Sequence, residues 1–335
     1  MLKIALVGAT GNVGRNVTSI MEEKGLLDKF QVTPVGSKKS AGSKISLSEK
    51  DVIVRSIDDV NFADFSVAIF ATRASVSEKL APIAASAGCV VIDCSSHFRI
   101  DPKVPLVIPP VNMDDVSLYK QKNIIAMANC IAAPLATVLK PLENLSSIKR
   151  LVVSTYQSVS GAGKRAMNEL FNQSKATFTS TPYMRGVFDK DIAFNVIPTI
   201  DVVMPSGVTG EEGKIAMELK RVLSSDLSIA VTSVRVPVFV GHCASVAVEF
   251  DSDLPLASAF DALRNRPYIK LIEGYDNNMT PQEVVGEDDV YISRVRSDFS
   301  VDHGLLFWVV SDNLRRGSAL DAVETLVKLA SLLEG

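Results

Sequence analysis

The chain has 335 residues, 22% of them charged, and a net charge of -3. That length exceeds the roughly 250–300 residues at which a single core stops growing, so two domains are expected. The charge balance excludes a global basic field for nucleic acid, and no apolar run is long enough to span a bilayer.

The chain opens on a strand-like run, Lys3–Val7, too short for a signal-peptide core. It passes directly into Gly8-Ala9-Thr10-Gly11-Asn12-Val13-Gly14 and then a helical stretch to about Glu23. Strand, glycine turn and helix in this order form a pyrophosphate site, because glycines let the backbone approach and the helix N-terminus supplies unpaired N–H groups. The spacing is G-x-x-G-x-x-G, not the commoner G-x-G-x-x-G, and a plain tight turn is the alternative. The next strand, Gln31–Val35, ends in Gly36-Ser37-Lys38-Lys39-Ser40. No acid stands there for a ribose 2′-hydroxyl, whereas lysines and serines suit a 2′-phosphate. NADP is therefore expected over NAD, against the plainer reading of a solvated loop.

Further strands at Val67–Phe70 and Cys89–Ile92, with a helix from Ser75 to Ala87, predict a parallel sheet with helices on both faces. Thr72 and the run Asp93 to Arg99 follow strand ends, where ligands collect. Arg99 there reads either as a fork for phosphate or carboxylate or as a surface ion pair. Ile124–Ala128 is a buried strand, Asn129 a good N-cap, and Ile131–Leu145 a helix that tolerates Pro134 near its start. Cys130 then sits at a helix N-terminus, where the dipole favours thiolate. The bland alternative is an inert buried thiol. The other cysteines lack metal spacing and fit a reducing cytosol; Cys89 and Cys94 read as packing residues.

After Pro141 the pattern changes. Leu151–Thr155 is a strand, Gly163–Phe171 opens a helix, and a polar, loop-rich stretch follows to about Gly207. A helix near Gly210–Leu223 precedes strands at Ile229–Val236, Cys243–Phe250, Val290–Arg296 and Leu305–Val310, which together suggest an α+β domain with a mainly antiparallel sheet. Leu314–Leu333 is an amphipathic helix expected to complete the first domain, giving a division into 1–129 plus 314–335 and 130–313. Glu211 and Lys214 share one helix face. Arg235 and His242 are an odd seven residues apart, and Pro237 and Gly241 between them leave open whether they converge. Gln157 and Ser160-Gly161 lie where a strand runs into a glycine turn, a good place for cofactor contacts.

These stretches together resemble bacterial aspartate-β-semialdehyde dehydrogenases over nearly the full length. The matching residues are Gly8 to Gly14, Ser40-Ala41-Gly42, Asp93 to Arg99, Asn129-Cys130 and Ser154 to Gly163. Glu211-Glu212-Gly213-Lys214, Arg235 to Val238 with His242, and Trp308 to Asn313 continue the match. The chain departs from the family where Ile131-Ala132 follows the cysteine, at Gly213, at Arg73, and in the loop after Phe171.

The resemblance implies a Rossmann-type dinucleotide-binding domain plus an α+β catalytic and dimerisation domain. It implies a cytoplasmic homodimer or homotetramer that interconverts L-aspartate-β-semialdehyde plus phosphate and β-aspartyl phosphate with NADP, in lysine, threonine, methionine and diaminopimelate biosynthesis. By motif, Cys130 forms the thioester, His242 is the acid/base and Gln157 holds the substrate at the thiol. Arg235 binds the substrate carboxylate, Glu211 its ammonium, and Arg99, Lys214 and Asn129 the phosphate. Gly8, Thr10, Gly11, Asn12, Val13, Ser37, Lys38, Thr72, Ser160, Gly161 and Asn313 contact NADP. Backbone N–H groups at the start of the Cys130 helix are candidate oxyanion donors, each worth about 3 kcal/mol elsewhere. Alternatives are an N-acetyl-γ-glutamyl-phosphate reductase, which has no use for an acid facing an ammonium, and a non-catalytic NADP-binding protein. His97, His242 and His303 offer no metal spacing.

Overall fold

The computed structural model describes every residue except 49, 224, 225, 275 and 335, the last at the end of the expected C-terminal helix. It divides into two compact units, Met1–Ala128 with Gly317–Gly335, and Asn129–Arg316. The first unit begins with β1 (Leu2–Val7), α1 (Asn12–Glu23), β2 (Phe30–Gly36), β3 (Lys44–Leu47), β4 (Lys50–Ile53) and β5 (Arg55–Ser56). It continues with β6 (Val67–Phe70), α2 (Ala74–Ser86), β7 (Val90–Asp93), β8 (Leu106–Val107), α3 (Pro109–Asn112) and β9 (Ile124–Met127). The second unit holds α4 (Ala132–Glu143), β10 (Ile148–Gln157), α5 (Lys164–Thr179), α6 (Gly210–Val222) and β11 (Ser228–Arg235). Then come β12 (His242–Phe250), α7 (Leu256–Leu263), β13 (Ile269–Leu271), β14 (Val290–Asp298) and β15 (Gly304–Ser311). The last helix, α8 (Leu320–Glu334), belongs to the first unit.

The first unit's main sheet has the order β5-β2-β1-β6-β7-β9-β8, with every pair parallel. The interior strand β1 is apolar without alternation over Ile4, Ala5 and Leu6, all fully buried, as a parallel strand covered on both faces requires. From β1 the chain adds β2 on one side and later β6 on the other, so the topological switch falls at the carboxyl end of β1. On α8, Leu320, Val323, Leu326 and Leu329 join the core that contains Ile4, Leu6, Val17 and Ile20. Burying each such side chain contributes about 1.5–3 kcal/mol. The hairpin β3-β4 and the two-residue strands β5 and β8 carry too short a pattern to be read from sequence.

The second sheet runs β11-β10-β12-β15-β14-β13 and is mainly antiparallel, with parallel pairs at its two edges. One expectation needs correction. The helix that opens near Gly163 does not give way to loop at Phe171 but continues as α5 to Thr179. Its polar residues mislead, because Glu169 and Gln173 are buried and bind main chain. Glu169 accepts the N–H groups of Gly186 and Val187, and Gln173 those of Ile192 and Ala193. The segment after the helix is thus pinned against it over Leu170 and Ile192.

Candidate active site

Cys130 precedes α4, and Asn129 builds the turn that presents it. The Asn129 Oδ1 accepts the N–H of Ile131 at 2.9 Å and of Ala132 at 3.4 Å, while its carbonyl accepts that of Ala133 at 2.9 Å. This is N-cap geometry with Cys130 as the first residue of the turn. The N–H groups of Ile131, Ala132 and Ala133 are therefore already bonded to Asn129 and are engaged before any substrate oxygen arrives. Asn129 is held in turn from α6: its main-chain N–H reaches Glu218 at 2.5 Å and its amide reaches Glu211 at 2.9 Å. Its predicted phosphate contact has to share an amide engaged by Glu211. Glu218, buried on α6 among helix-forming neighbours, carries no motif signal.

The question left open for Arg235 and His242 is decided by strand pairing. They do not share a strand. Arg235 ends β11 and pairs with Gln157 of β10, and His242 begins β12 and pairs with the same Gln157. Residues in register on neighbouring strands point to one face, so Arg235, Gln157 and His242 form a row across the sheet end. The intervening Val236–Gly241 is the connection that lets β10 enter between them. Gln157 donates to Glu211 Oε1 at 3.3 Å, linking this row to the Asn129 turn.

Arg235 is buried and donates to the Ser158 carbonyl at 2.7 Å. Burial lowers its pKa, while the charges of Glu211 and Cys130 oppose that shift, which places both in its electrostatic neighbourhood. His242 is fully buried and its pKa is pushed down to about 3, first by burial and then by the Arg235 charge. Gly161 lies over both groups. A Cβ there would stand 3.1 Å from His242 Nε2 and 3.2 Å from Arg235 Nη1, so only glycine leaves them approachable.

Behind His242 lies a network that sequence reasoning missed. Ser158 contacts Nδ1, and Ser158, Ser160, Asn313 and Gly241 are joined by hydrogen bonds of 2.9–3.2 Å. The expected NADP contacts Ser160 and Asn313 are thus buried side chains already engaged with each other. Lys214 bonds Asp201 at 2.5 Å and lies 3.8 Å from Glu211, so it is more than the simple helix-face pair. Asp201 was not foreseen; it reaches Lys214 from a loop thirteen residues away. A Cβ on Gly213 would meet only Met204, at 3.8 Å, so packing does not demand glycine there.

The first unit carries the cofactor candidates. Gly8 has φ +86°, and a Cβ on it would lie 2.2 Å from the Ala71 carbonyl oxygen and 3.5 Å from Thr72 Cβ. A Cβ on Gly14 would lie 2.4 Å from the Gly8 carbonyl oxygen. Gly11 is the N-cap of α1 and gives it no side-chain cap, and Asn12 and Val13 form the first turn after Thr10. Close-packed glycines, an uncapped helix start and the sheet switch point together fit a dinucleotide pyrophosphate. Ser37 bonds Ser40 beyond β2, and Lys38 pairs with Asp58 at 3.1 Å on the surface. Arg99 is buried, not a surface ion pair: it donates to the carbonyls of Met127 at 2.8 Å and Cys94 at 3.2 Å.

Burial raises the thiol pKa of Cys89 and Cys243 to about 12 and that of Cys94 further still, so these are inert packing groups. Among the described residues there is no cluster of three or more metal-ligating side chains, and no helix is long and apolar enough to cross a membrane.

Residues 3–119 match the semialdehyde dehydrogenase NAD-binding domain, and residues 139–316 the semialdehyde dehydrogenase dimerisation domain. The aspartate-semialdehyde dehydrogenase of Rickettsia bellii is 44% identical over 329 residues, covering 97% of both chains. That of Aquifex aeolicus is 39% identical over 335 residues, covering 97% of this chain and 98% of the relative. The solved structure of aspartate semialdehyde dehydrogenase II from Vibrio cholerae, complexed with ASA, superposes with a TM-score of 0.95 at 36% identity. It covers 99% of this chain and 98% of that one. With both domains matched and relatives aligned end to end, the chain belongs to the aspartate-semialdehyde dehydrogenase family, oxidoreductases of amino-acid biosynthesis built on a nicotinamide-dinucleotide-binding domain.

Proposed function

We propose that the protein catalyses the reversible, phosphorylating oxidation of L-aspartate-β-semialdehyde to β-aspartyl phosphate with NADP. The observation that carries this reading is the row Arg235–Gln157–His242, tied through Glu211 to the turn that presents Cys130. A substrate with a carboxylate, an ammonium and a reactive carbonyl needs a fork-shaped cation, an anion and a nucleophile in one place. Arg235 binds the carboxylate, Glu211 the ammonium, and Gln157 keeps the carbonyl at Cys130. Cys130 adds to that carbonyl as thiolate, favoured by the helix start and by the Arg235 charge. His242 serves the carbonyl oxygen, and Lys214 and Arg99 take the phosphate. Bound NADP supplies the hydride acceptor; the residues Gly8 to Val13, Ser37, Lys38 and Thr72 hold it in the first unit. Preference for NADP over NAD rests on the two lysines and the missing acid after β2.

The protein works as a homodimer or homotetramer. Exposed Phe178, Met184, Phe194, Val202 and Val203 on the second unit support this, two of them, Phe178 and Phe194, meeting edge to face, because exposed large apolar side chains favour a partner. Four free thiols suit the cytoplasm. The test is NADPH formation from aspartate-β-semialdehyde with and without phosphate, in wild type and Cys130→Ala. Phosphate-dependent NADP reduction that vanishes in the variant is expected. A folded protein that is silent here, or active only on N-acetylglutamate semialdehyde, refutes the substrate; a lower KM for NAD at equal kcat refutes the cofactor.

A further inference from the structure

The backbone N–H and C=O of Asn129 and the oxygen and nitrogen of its side-chain amide all have partners. The main-chain N–H donates to Glu218 Oε2 at 2.5 Å, and the side-chain amide donates to Glu211 Oε1 at 2.9 Å. The carbonyl accepts the N–H of Ala133, and Oδ1 accepts those of Ile131 and Ala132. The two acceptors tie Asn129 to the start of α4, and the two donors tie it to α6. Cys130 follows directly, so its thiol takes its place from a residue held on every side.

Glu211 and Glu218 are seven residues apart on α6, about two helical turns, and share one face with Ile215. All three are buried, Ile215 and Glu218 completely. A carboxylate on a core-facing stripe is costly unless hydrogen-bonded, and a 2.5 Å bond from a main-chain N–H is the short, charge-assisted kind that offsets the cost. The helix carrying both acids is itself fixed. Glu212 closes a capping box with Thr209 and accepts the Ser233 N–H of β11 at 2.9 Å. The two acids differ in what else they meet. Glu211 Oε1 is shared by Asn129 and Gln157, and its Oε2 lies 3.8 Å from Lys214. A substrate ammonium arriving at Glu211 competes with all three for the same two oxygens. Glu218 stands about 10 Å further along the helix axis and grips the backbone of Asn129, not its side chain.

We infer that Glu218 is a positioning residue that holds the Cys130 turn independently of Glu211, so that the nucleophile keeps its place while Glu211 takes up substrate. This rests on the proposed reaction for the part played by Glu211. Without Glu218, the Asn129 N–H is a buried donor left unpaired at the start of the turn. The remaining tie from α6 is then the Glu211 bond alone, the one that the substrate ammonium draws on.

The experiment compares Glu218→Gln, which keeps an acceptor oxygen, with Glu218→Leu, which keeps only the bulk. Alkylation of Cys130 by iodoacetamide without substrate, followed by peptide mass spectrometry across pH, reports the thiol. In Glu218→Leu its inflection is expected to rise by about half a unit as the thiol leaves the helix start; in Glu218→Gln it stays or falls. In Glu218→Leu kcat should drop about 10- to 100-fold with the KM for semialdehyde within about twofold, and glutamine should restore most of it. Should the leucine variant not fold, amide exchange in the unsubstituted protein decides, read by NMR. The Asn129 N–H is expected to exchange slowly, and no faster with aspartate-β-semialdehyde present. An Asn129 N–H released by substrate, an inflection that falls equally in both variants, or wild-type kcat in Glu218→Leu overturns the inference. The expected alkylation profiles in a protein silent toward aspartate-β-semialdehyde leave Glu218 its role at the turn and remove the substrate instead.

Discussion

Adding a single methyl group at residue 161 should separate activity from stability. Gly161 is exposed and its backbone is not in the left-handed region, so alanine meets no φ strain. Restricting the unfolded chain at such a site stabilises by about 0.4–1 kcal/mol. The new Cβ, however, would stand 3.1 Å from His242 Nε2, 3.2 Å from Arg235 Nη1 and 3.3 Å from His242 Cε1. Ordinary contacts between such atoms are several tenths of an ångström longer, so two reacting-site groups have to yield together. His242 is clamped from behind at Nδ1 and Arg235 by its 2.7 Å bond to the Ser158 carbonyl, so neither retreats freely. Misplacement by about 1 Å costs on the order of 100-fold in rate, and a shift of a few tenths plus the methyl's bulk points to about 10- to 100-fold in kcat/KM. That is about 1.4–2.7 kcal/mol of transition-state stabilisation. Steady-state kinetics and a urea melt on the same preparation decide it. Gly161→Ala with wild-type kcat/KM would refute the placement of Nε2 and Arg235 beneath this glycine; lost activity with equally lost stability would refute a purely local effect.

Asn129→Ala removes the cap on the Cys130 turn and the amide bond to buried Glu211, and is expected to cost about 1–3 kcal/mol in urea unfolding; no change in midpoint would contradict the cap assignment. His242 has a folded pKa of about 3 against an ordinary 6.5, so its unfolded form binds the proton first. Its contribution to stability is complete above about pH 6.5 and is lost as pH falls toward 3, amounting to about 2 kcal/mol between pH 7 and 5. His242→Gln should flatten that acid limb, and an unchanged slope would show that the ring titrates normally. Lys214→Ala is expected to raise the KM for phosphate about tenfold while leaving that for semialdehyde near wild type; the reverse pattern would move Lys214 to the substrate. Asp201→Ala frees the same ammonium from its 2.5 Å partner and should change the phosphate KM alone.

Much of this protein was legible in the chain because the signals were local. The run Lys3–Val7 ahead of Gly8 announced a strand and a glycine turn, since side-chain period and the absence of a Cβ are properties of a few adjacent residues. Asn129 before Cys130 announced a capped turn for the same reason. The α5 helix was cut short because Glu169 and Gln173 look solvated in sequence, and only the segment at 186–193 shows that they bind main chain. Arg235 and His242 could not be joined from their spacing. Their partner is Gln157, 78 residues upstream of Arg235 and 85 of His242, and strand order is a long-range choice that period-two patterning does not encode. The same holds for Ser158, Asp201 and Glu218, whose importance lies in what stands opposite them. Residue types supplied the chemical groups; only the tertiary structure decided which of them meet, because hydrogen bonds are satisfied by neighbours in space and not in sequence.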